Sequence, residues 1–340
     1  MPIAKTTLND IATRLHVSKS LVSRALSGKY NIDESTRRII QETAAEMGYD
    51  FHRLRSGKDV IPPKEQSSIL LVMLRFDLGD INYYSHIVTG IQTELQQCRV
   101  NTMLELVEFD TKTLQLPKQI KGVIAIGRLQ PELLTSIIEQ NPQIVLLDNC
   151  TYHGFYCDTV TAANYAGCYD STARAIASGH RRLAFVGSPD YSNSFAERYR
   201  GFMDCIRLTP EVQGVSLTGT YDNIQIPCDY KQLVAALSHP DHPTAFICAN
   251  DIIAAIVYDI AEKLGLNIPN QISVVGFDNI DKSTWMRPSL STVAVPMQEL
   301  GRCAVQTLLN RIQKPESPYR NIQLMTSFVD RDSIQPISSN

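Results

Sequence analysis

Residues 7–49 read TLNDIATRLHVSKSLVSRALSGKYNIDESTRRIIQETAAEMGY, and their spacing predicts a helix-turn-helix followed by a third helix. Thr7 with Asp10 has the form of a helix N-cap, and Leu8, Ile11, Ala12 and Leu15 fall on one helical face. His16-Val17 is a short break. Ser18 is placed to cap a second helix whose apolar stripe is Leu21, Val22, Ala25 and Leu26. That stripe leaves Lys19, Ser20, Ser23 and Arg24 at or near the exposed N-terminal side. Small polar and cationic side chains there suit a helix that enters a DNA major groove. Asp33 is placed to cap the third helix and Gly48 to end it. Spacing alone leaves a second reading open, in which these are three ordinary surface helices of an all-α subdomain.

Composition sets the frame around this segment. A chain of 340 residues has room for two or three domains, and 44% hydrophobic residues make it globular. It has no apolar run of about 18 residues, as a membrane span would need, and MPIAKTTLND lacks the apolar stretch of a signal peptide. The eight cysteines show no Cys-x-x-Cys spacing, so small buried thiols in a reducing cytoplasm are expected rather than zinc ligands or disulfides. The net charge of −3 hides an asymmetry: residues 1–60 carry +3 and the rest −6. A modest basic excess can hold phosphates if its cations share a face.

The wording of the first segment is more specific than its spacing. Leu-x-Asp-Ile-Ala, then Val-Ser-x-x-x-Val-Ser-Arg-x-Leu, then Ser-Thr-Arg-Arg-Ile-Ile and Met-Gly-Tyr, resembles the headpiece of the LacI/GalR transcription regulators without a gap over some forty residues. The resemblance implies DNA contacts from Thr7, Leu8, Ser18, Lys19, Ser20, Ser23, Arg24, Ser27, Asn31, Thr36 and Tyr49. His16 departs from the family, which usually has Gly in that turn; His tolerates a left-handed backbone better than most residues.

Residues 50–68, DFHRLRSGKDVIPPKEQSS, read as a linker with Gly57 and a Pro62-Pro63 pair. In the family this zone resembles Tyr-x-Pro-Asn-x-x-Ala-Arg-x-Leu, a hinge helix whose Leu wedges into the minor groove. Aligned from Tyr49, this chain has Phe51 for Pro, His52 for Asn, Arg55 for Ala and Lys58 for Leu. Arg53, Arg55 and Lys58 are candidates to follow phosphates instead, Leu54 is a candidate wedge in another register, and a flexible basic linker is the bland alternative. The expected domains are a headpiece (1–50), a hinge (51–67) and an effector-binding and dimerisation domain (68–340).

From Ser68 the chain alternates strand-like and helix-like segments. Strands are expected at Ile69–Leu74, Thr102–Val107, Gly122–Ile126, Ile144–Leu147, Leu183–Val186, Thr244–Cys248 and Ser273–Val275. Helices are expected at Tyr84–Cys98, Pro131–Asn141, Gly167–Gly179, Phe195–Leu208, Tyr230–His239, Asp251–Leu264 and Met297–Gln313. Fully apolar strands alternating with helices imply parallel sheets covered on both faces, with ligands at the carboxyl ends of strands. Four expected strands run into polar groups: Asp148-Asn149, Gly187 with Ser194 and Arg198, Asn250-Asp251, and Asp278. Such groups can hold a polyhydroxylated ligand. Asp and Asn at strand ends also cap helices, and Asp251 is expected to be such a cap.

The family likeness continues through SGHRRLAFVG (178–187), SNSFAERYRGF (192–202), ICANDIIAA (247–255), ISVVGFDN (272–279) and PSLSTVAVPMQELG (288–301). It implies two Rossmann-like lobes of the periplasmic-binding-protein kind, joined by crossovers near 161–164, 290–296 and 324–328. It implies effector contacts at Arg198, Asn250 and Asp278, lesser ones at Asp148 and Ser194, and an aromatic pair at Tyr83-Tyr84 of the kind that stacks on a sugar ring, with Tyr84 counted among the effector contacts. Tyr221 and Met297 fall near further wall positions. Arg75 reads as a solvated charge.

No GxGxxG after the first strand, P-loop, GxSxG or HExxH is present, and the seven His show no metal-ligand spacing. An enzyme, and any cofactor or metal, is therefore not expected. The function expected is a cytoplasmic, homodimeric regulator that binds double-stranded operator DNA. It would repress a carbohydrate-utilisation operon, relieved by a small sugar-type effector. The alternatives are a sugar receptor without a DNA role and a corepressor-dependent or activating regulator of the same family.

Overall fold

The computed structural model describes residues 6–26, 32–47, 68–77, 82–150, 156–218 and 228–337. The chain divides into two compact units, Met1–Gln66 and Ser67–Asn340.

The first unit holds α1 (Leu8–Leu15), α2 (Lys19–Leu26) and α3 (Glu34–Glu46). Thr7 and Asp10 close a reciprocal capping box, so two of the orphan amides at the start of α1 are satisfied. His16 ends α1 in the left-handed region (φ 53°, ψ 38°). The Ser18 hydroxyl accepts from the Leu21 amide at 3.2 Å, and Asp33 accepts from the Ser35 and Thr36 amides. Helix α3 is capped by Met47, while Gly48 lies outside the described residues. Ile11, Ala12, Val22, Ala25, Ile40 and Ala44 form the buried core, with Leu8, Leu15, Val17 and Leu21 packed against it.

In the second unit, one sheet contains β1 (Ser68–Leu74), β2 (Asn101–Val107), β3 (Ile120–Ile126), β4 (Ile144–Leu147), β5 (Asp158–Ala162) and β11 (Asn321–Leu324). Its strand order is β11-β5-β4-β3-β1-β2, all parallel. The other contains β6 (Arg182–Val186), β7 (Gln213–Leu217), β8 (Ala245–Cys248), β9 (Ser273–Asp278), β10 (Ser291–Ala294) and β12 (Ser327–Val329). Its order is β12-β10-β9-β8-β6-β7, parallel except that β12 runs against β10. Strands such as β1 (SILLVML) are buried almost throughout, as parallel strands covered on two faces must be.

Helices α4 (Tyr84–Gln97), α5 (Pro131–Gln140) and α11 (Met297–Gln313) accompany the first sheet; α6 (Asn164–Ala177), α7 (Asn193–Arg207), α8 (Tyr230–Ser238), α9 (Asp251–Lys263) and the short α10 (Lys282–Trp285) accompany the second. Helices α4 and α11 pack backbone to backbone. A Cβ on Gly90 would lie 2.0 Å from the Gln298 carbonyl oxygen, and one on Gly301 would lie 2.2 Å from that of Ile87, so only glycine permits the approach. The chain passes between the sheets after β5, after β10 and between β11 and β12.

All seven expected strands form, several with shifted ends. Strands β5, β7, β10, β11 and β12 were not expected from the pattern. Two helices begin earlier than their apolar stripe suggests, α6 at Asn164 and α7 at Asn193. Asp251 is not the cap of α9. Asn250 is, its Oδ1 accepting from the Ile253 amide at 2.9 Å. Asp251 turns inward and accepts from the Thr292 hydroxyl (2.6 Å) and the Ile280 amide (2.9 Å), tying β10 and the turn after β9 to the start of α9. Burial pushes its carboxyl up to about 7 against the pull of those two donors.

Candidate functional site

The carboxyl ends of β3, β4, β6, β8 and β9 converge on a cavity of about 50 Å³. Of the effector residues expected from the sequence, Tyr84, Asp148, Ser194, Arg198, Asn250 and Asp278 line it together. Met297 is buried at the start of α11 and is not among the lining residues. Tyr221 lies outside the described residues. Arg75 is exposed and pairs with Glu108 at 2.7 Å.

Arg198, on α7, is the hub. Its guanidinium is buried and makes two hydrogen bonds, Nε to Asn164 Oδ1 (3.0 Å) and Nη1 to the Ala249 carbonyl (2.6 Å), and one ion pair, Nη2 with Asp278 Oδ1 at 3.0 Å. The group also lies 3.8 Å from the centroid of the Phe277 ring, a cation–π contact strengthened by the loss of water around it. Ser192 caps α7, accepting from the Phe195 amide, which fixes the first turn of the helix that carries Arg198.

Two cleft carboxylates stand on left-handed backbone, Asp148 at φ 55° and Asp278 at φ 105°. Such conformations cost a non-glycine residue on the order of 1–3 kcal/mol and persist where the surroundings over-determine them. The Oδ1 of Asp148 is shielded from solvent. Burial pushes this carboxyl up to about 6, against the opposing pull of Arg198 and the Tyr83 hydroxyl. The Tyr83 and Tyr84 rings meet edge to face at 5.1 Å. Burial raises both phenols, and the nearby carboxylates raise them further, so both remain protonated donors.

Sequence reading missed the opposite wall. Arg128, just after β3, pairs with buried Asp77 at 3.3 Å and lies 3.9 Å over the Tyr191 ring. Arg128 follows a strand of the first sheet and Tyr191 one of the second, so this contact spans the cleft. Gly127 (φ 71°) makes room: a Cβ there would meet the Tyr84 hydroxyl at 2.8 Å. The available signal was Ile126 running into Gly-Arg, a fifth polar strand end. Phe195 completes the aromatic lining.

Taken together, the cleft offers two guanidinium groups, carboxylates, one free amide end (Asn250 Nδ2, since Oδ1 is spent on the cap) and aromatic faces. That is a set for gripping vicinal hydroxyls around a ring. Among the described residues it contains no nucleophile held against a base. Among the described residues, no group of three His, Cys, Asp or Glu is placed to hold a metal ion, and no helix is long and apolar enough to cross a membrane. All eight cysteines are free thiols.

In the helical unit, Ser18, Lys19, Ser20 and Arg24 are exposed and Ser23 is half-buried. Ser18 precedes α2 and the other four lie along it, off the face that buries Val22 and Ala25. The Ser18 and Ser20 hydroxyls are 3.0 Å apart, and Arg24 Nε donates to the Ser20 carbonyl at 3.3 Å. Thr7 is exposed at its cap, Leu8 is partly buried against the core, and Thr36 is half-buried in the first turn of α3. Ser27, Asn31, Tyr49, Arg53, Arg55 and Lys58 lie outside the described residues.

Comparison with known proteins places these features. Residues 7–50 match the model of bacterial regulatory proteins of the lacI family, and residues 172–334 match the periplasmic binding protein-like domain. The chain is 25% identical to the ribose operon repressor of Haemophilus influenzae over 96% of this chain and 98% of that one. It is 26% identical to the HTH-type transcriptional repressor CytR of Escherichia coli K12 over 90% of each. A LacI family transcriptional regulator from Enterococcus faecium with bound ribose superposes with a TM-score of 0.68 at 25% identity, covering 80% of this chain and 100% of that one. The chain carries a lacI-family DNA-binding domain at residues 7–50, followed by two α/β sheets of the periplasmic-binding-protein-like kind.

Proposed function

We propose that this chain is a cytoplasmic, ligand-responsive repressor that binds operator DNA as a homodimer and is released by a sugar-type effector held between its two sheets. The observation that carries the effector half is Arg198. It is a buried guanidinium held by three partners at the edge of a cavity lined with carboxylates and tyrosines. A planar fork of donors suits neighbouring hydroxyls, and the tyrosine rings suit the apolar face of a sugar. The relatives lend the ligand class: one is named a ribose operon repressor and a similar structure holds ribose.

The DNA half rests on α2. Lys19 and Ser20 would reach base edges with Arg24 beside them, while Thr7, Ser18 and Thr36, all at helix starts, would position phosphates. Residues 1–50 would act as the headpiece, 51–67 as the hinge and 68–340 as the effector and dimerisation domain. A ligand can drive release only through its differential affinity for two arrangements of the protein. The arrangement that it favours would hold the two headpieces at a spacing that no longer fits the operator.

The test is selection of binding sites from random duplex DNA, followed by thermal-shift measurements with D-ribose, cellobiose and D-glucose. A pseudo-palindromic site and a Tm rise with at least one saccharide are expected. Enrichment of no sequence would remove the DNA reading. Binding of sugar with no effect on DNA affinity would favour a plain receptor.

A further inference from the structure

Asn164 is the residue at which the cleft and the inter-sheet connections share one side chain. It opens α6 directly after the chain leaves β5, and it is 1% exposed. Its Oδ1 accepts from Arg198 Nε at 3.0 Å, and its Nδ2 donates to the Ala162 carbonyl at 3.1 Å and to Glu197 Oε2 at 3.2 Å. Ala162 is the last residue of β5. The next residue, Ala163, donates its amide to the Leu324 carbonyl at 2.8 Å. Leu324 is the last residue of β11, after which the chain crosses to β12. Two of the three inter-sheet connections are therefore joined by one backbone bond, with Asn164 beside it.

We propose that Asn164 is a positioning residue that passes the state of the Arg198 guanidinium to the paired connections at Ala162–Ala163 and Leu324, so that a ligand drawing on Arg198 alters how the two sheets are held together. The other partners of Arg198, the Ala249 carbonyl just after β8 and Asp278 at the end of β9, stand in the same half of the domain as Arg198 itself. Asn164 stands on the connection. Its amide also has only one workable orientation. Flipped, it would set its NH2 against the Arg198 donor, and its oxygen against the Ala162 carbonyl and the Glu197 carboxylate. When Arg198 shifts toward a ligand, a buried amide so constrained follows it or loses a charge-assisted bond, and either event is felt at Ala162.

The inference rests in part on the effector reading above, so its test has one arm that needs no ligand. In the full-length protein, amide hydrogen exchange at Ala163 is followed for the wild type, Arg198→Lys, Asn164→Ala and the double variant. The intrinsic rate of this amide depends on residues 162 and 163, which none of the changes touches. The Thr244 amide, bonded to the Arg182 carbonyl at 2.8 Å at the far end of β8, serves as a reference for global loss of stability. Each single change is expected to speed exchange at Ala163 relative to Thr244 by at least about fivefold, and the double variant to be no faster than Asn164→Ala alone. Multiplicative effects would overturn the proposal. Should Asn164→Ala fold poorly, Asn164→Asp keeps the acceptor for Arg198 and loses the donor to Ala162; it is expected to uncouple Arg198→Lys from Ala163 in the same way, and retained coupling would overturn the proposal.

The second arm uses whichever of D-ribose, cellobiose or D-glucose raises the Tm of the wild type most. That saccharide should slow exchange at Ala163 in the wild type. In Asn164→Ala it should bind more weakly by calorimetry and, at a concentration that saturates the variant, leave Ala163 unchanged; persistent protection of Ala163 there contradicts the role given to Asn164. Failure of all three to bind counts against the effector reading, and the ligand-free cycle then decides the role of Asn164.

Discussion

Two of the buried arginine–aspartate pairs in the larger unit, Arg311–Asp158 and Arg198–Asp278, do different work. Arg311 of α11 meets Asp158 of β5 through Nε (2.8 Å) and Nη2 (3.2 Å), and its remaining donors go to the carbonyls of Pro315, Ser317 and Pro318. Asp158 also accepts from the Arg320 amide, and the Tyr319 ring covers the guanidinium at 4.6 Å. The shell is closed, made largely of backbone, and joins helix, strand and the loop before β11. Arg198 meets Asp278 at a similar distance, but its carboxylate partner sits on left-handed backbone and the pair borders a cavity. A charge pair sealed by backbone fastens a fold; the same pair with one side open to a cavity can trade a protein partner for a ligand.

The largest expected effect comes from breaking the sealed pair. Arg311→Met should cost about 3–5 kcal/mol in urea denaturation, because it strands a buried carboxylate. It should leave ligand affinity unchanged in the protein that remains folded. A cost under about 1 kcal/mol would mean that the two pairs do not differ as described. Arg198→Ala should do the reverse. Saccharide affinity should fall by about 10- to 150-fold, the equivalent of losing a charged hydrogen bond, with a smaller loss of stability. Calorimetry showing normal affinity would take Arg198 out of the site.

A third kind of cation sharpens the contrast. Lys19 is exposed on α2 and has no buried partner to strand. Lys19→Ala should leave stability within about 0.5 kcal/mol and relax preference at one base pair of each half-site by about 1–3 kcal/mol. An unchanged profile across all single-base operator variants would mean that α2 is oriented otherwise.

The smallest effect concerns protons. Asp148 in the folded protein is pushed up to about 6, above its ordinary 3.8, by burial. Its contribution to stability is therefore fully present below its ordinary pKa and is lost as pH rises through about 6. Asp148→Asn should remove that part of the slope, making the variant less pH-sensitive than the wild type between pH 5 and 8 by on the order of 1 kcal/mol. Ligand hydroxyls that donate to the ionised carboxylate should make binding tighten from pH 5 to 7 in the wild type and stay flat in the variant. Parallel pH profiles for the two proteins would show that Asp148 does not titrate in the cleft.

What was legible in the sequence follows the same line between apolar burial and polar satisfaction. Strands β1, β3, β4, β6 and β8 are runs of Ile, Leu, Val, Ala and Phe, and their type shows in composition alone. Strand β5, DTVTA, is wholly buried, yet it reads as polar because Asp158 is neutralised by an arginine about 150 positions away, a contact that no local pattern reports. Strand β7 is an edge strand with exposed residues, while β11 and β12 are too short to show a period. The caps of α1, α2 and α3 were readable because their partners lie within three residues. The cleft was readable where polar residues end strands. The choice between Asn250 and Asp251 as cap was not, since each can cap and only the position of Thr292 and Ile280 decides it. Asn164 and Arg311 stayed hidden for the reason that hid β5, since Arg198 and Asp158 are distant from them in sequence, while Arg128 left only its place at a strand end.

Fluorescence anisotropy on the selected operator, for the wild type and Arg198→Ala, with and without the saccharide that binds the wild type, tests most directly the coupling of the cleft to DNA. Equal operator affinity of the two proteins is expected without saccharide. The saccharide should weaken operator binding by the wild type at least about tenfold and leave the variant unchanged. An Arg198→Ala protein that releases DNA as the wild type does, or a wild type whose operator affinity ignores a saccharide that it binds, would contradict that coupling.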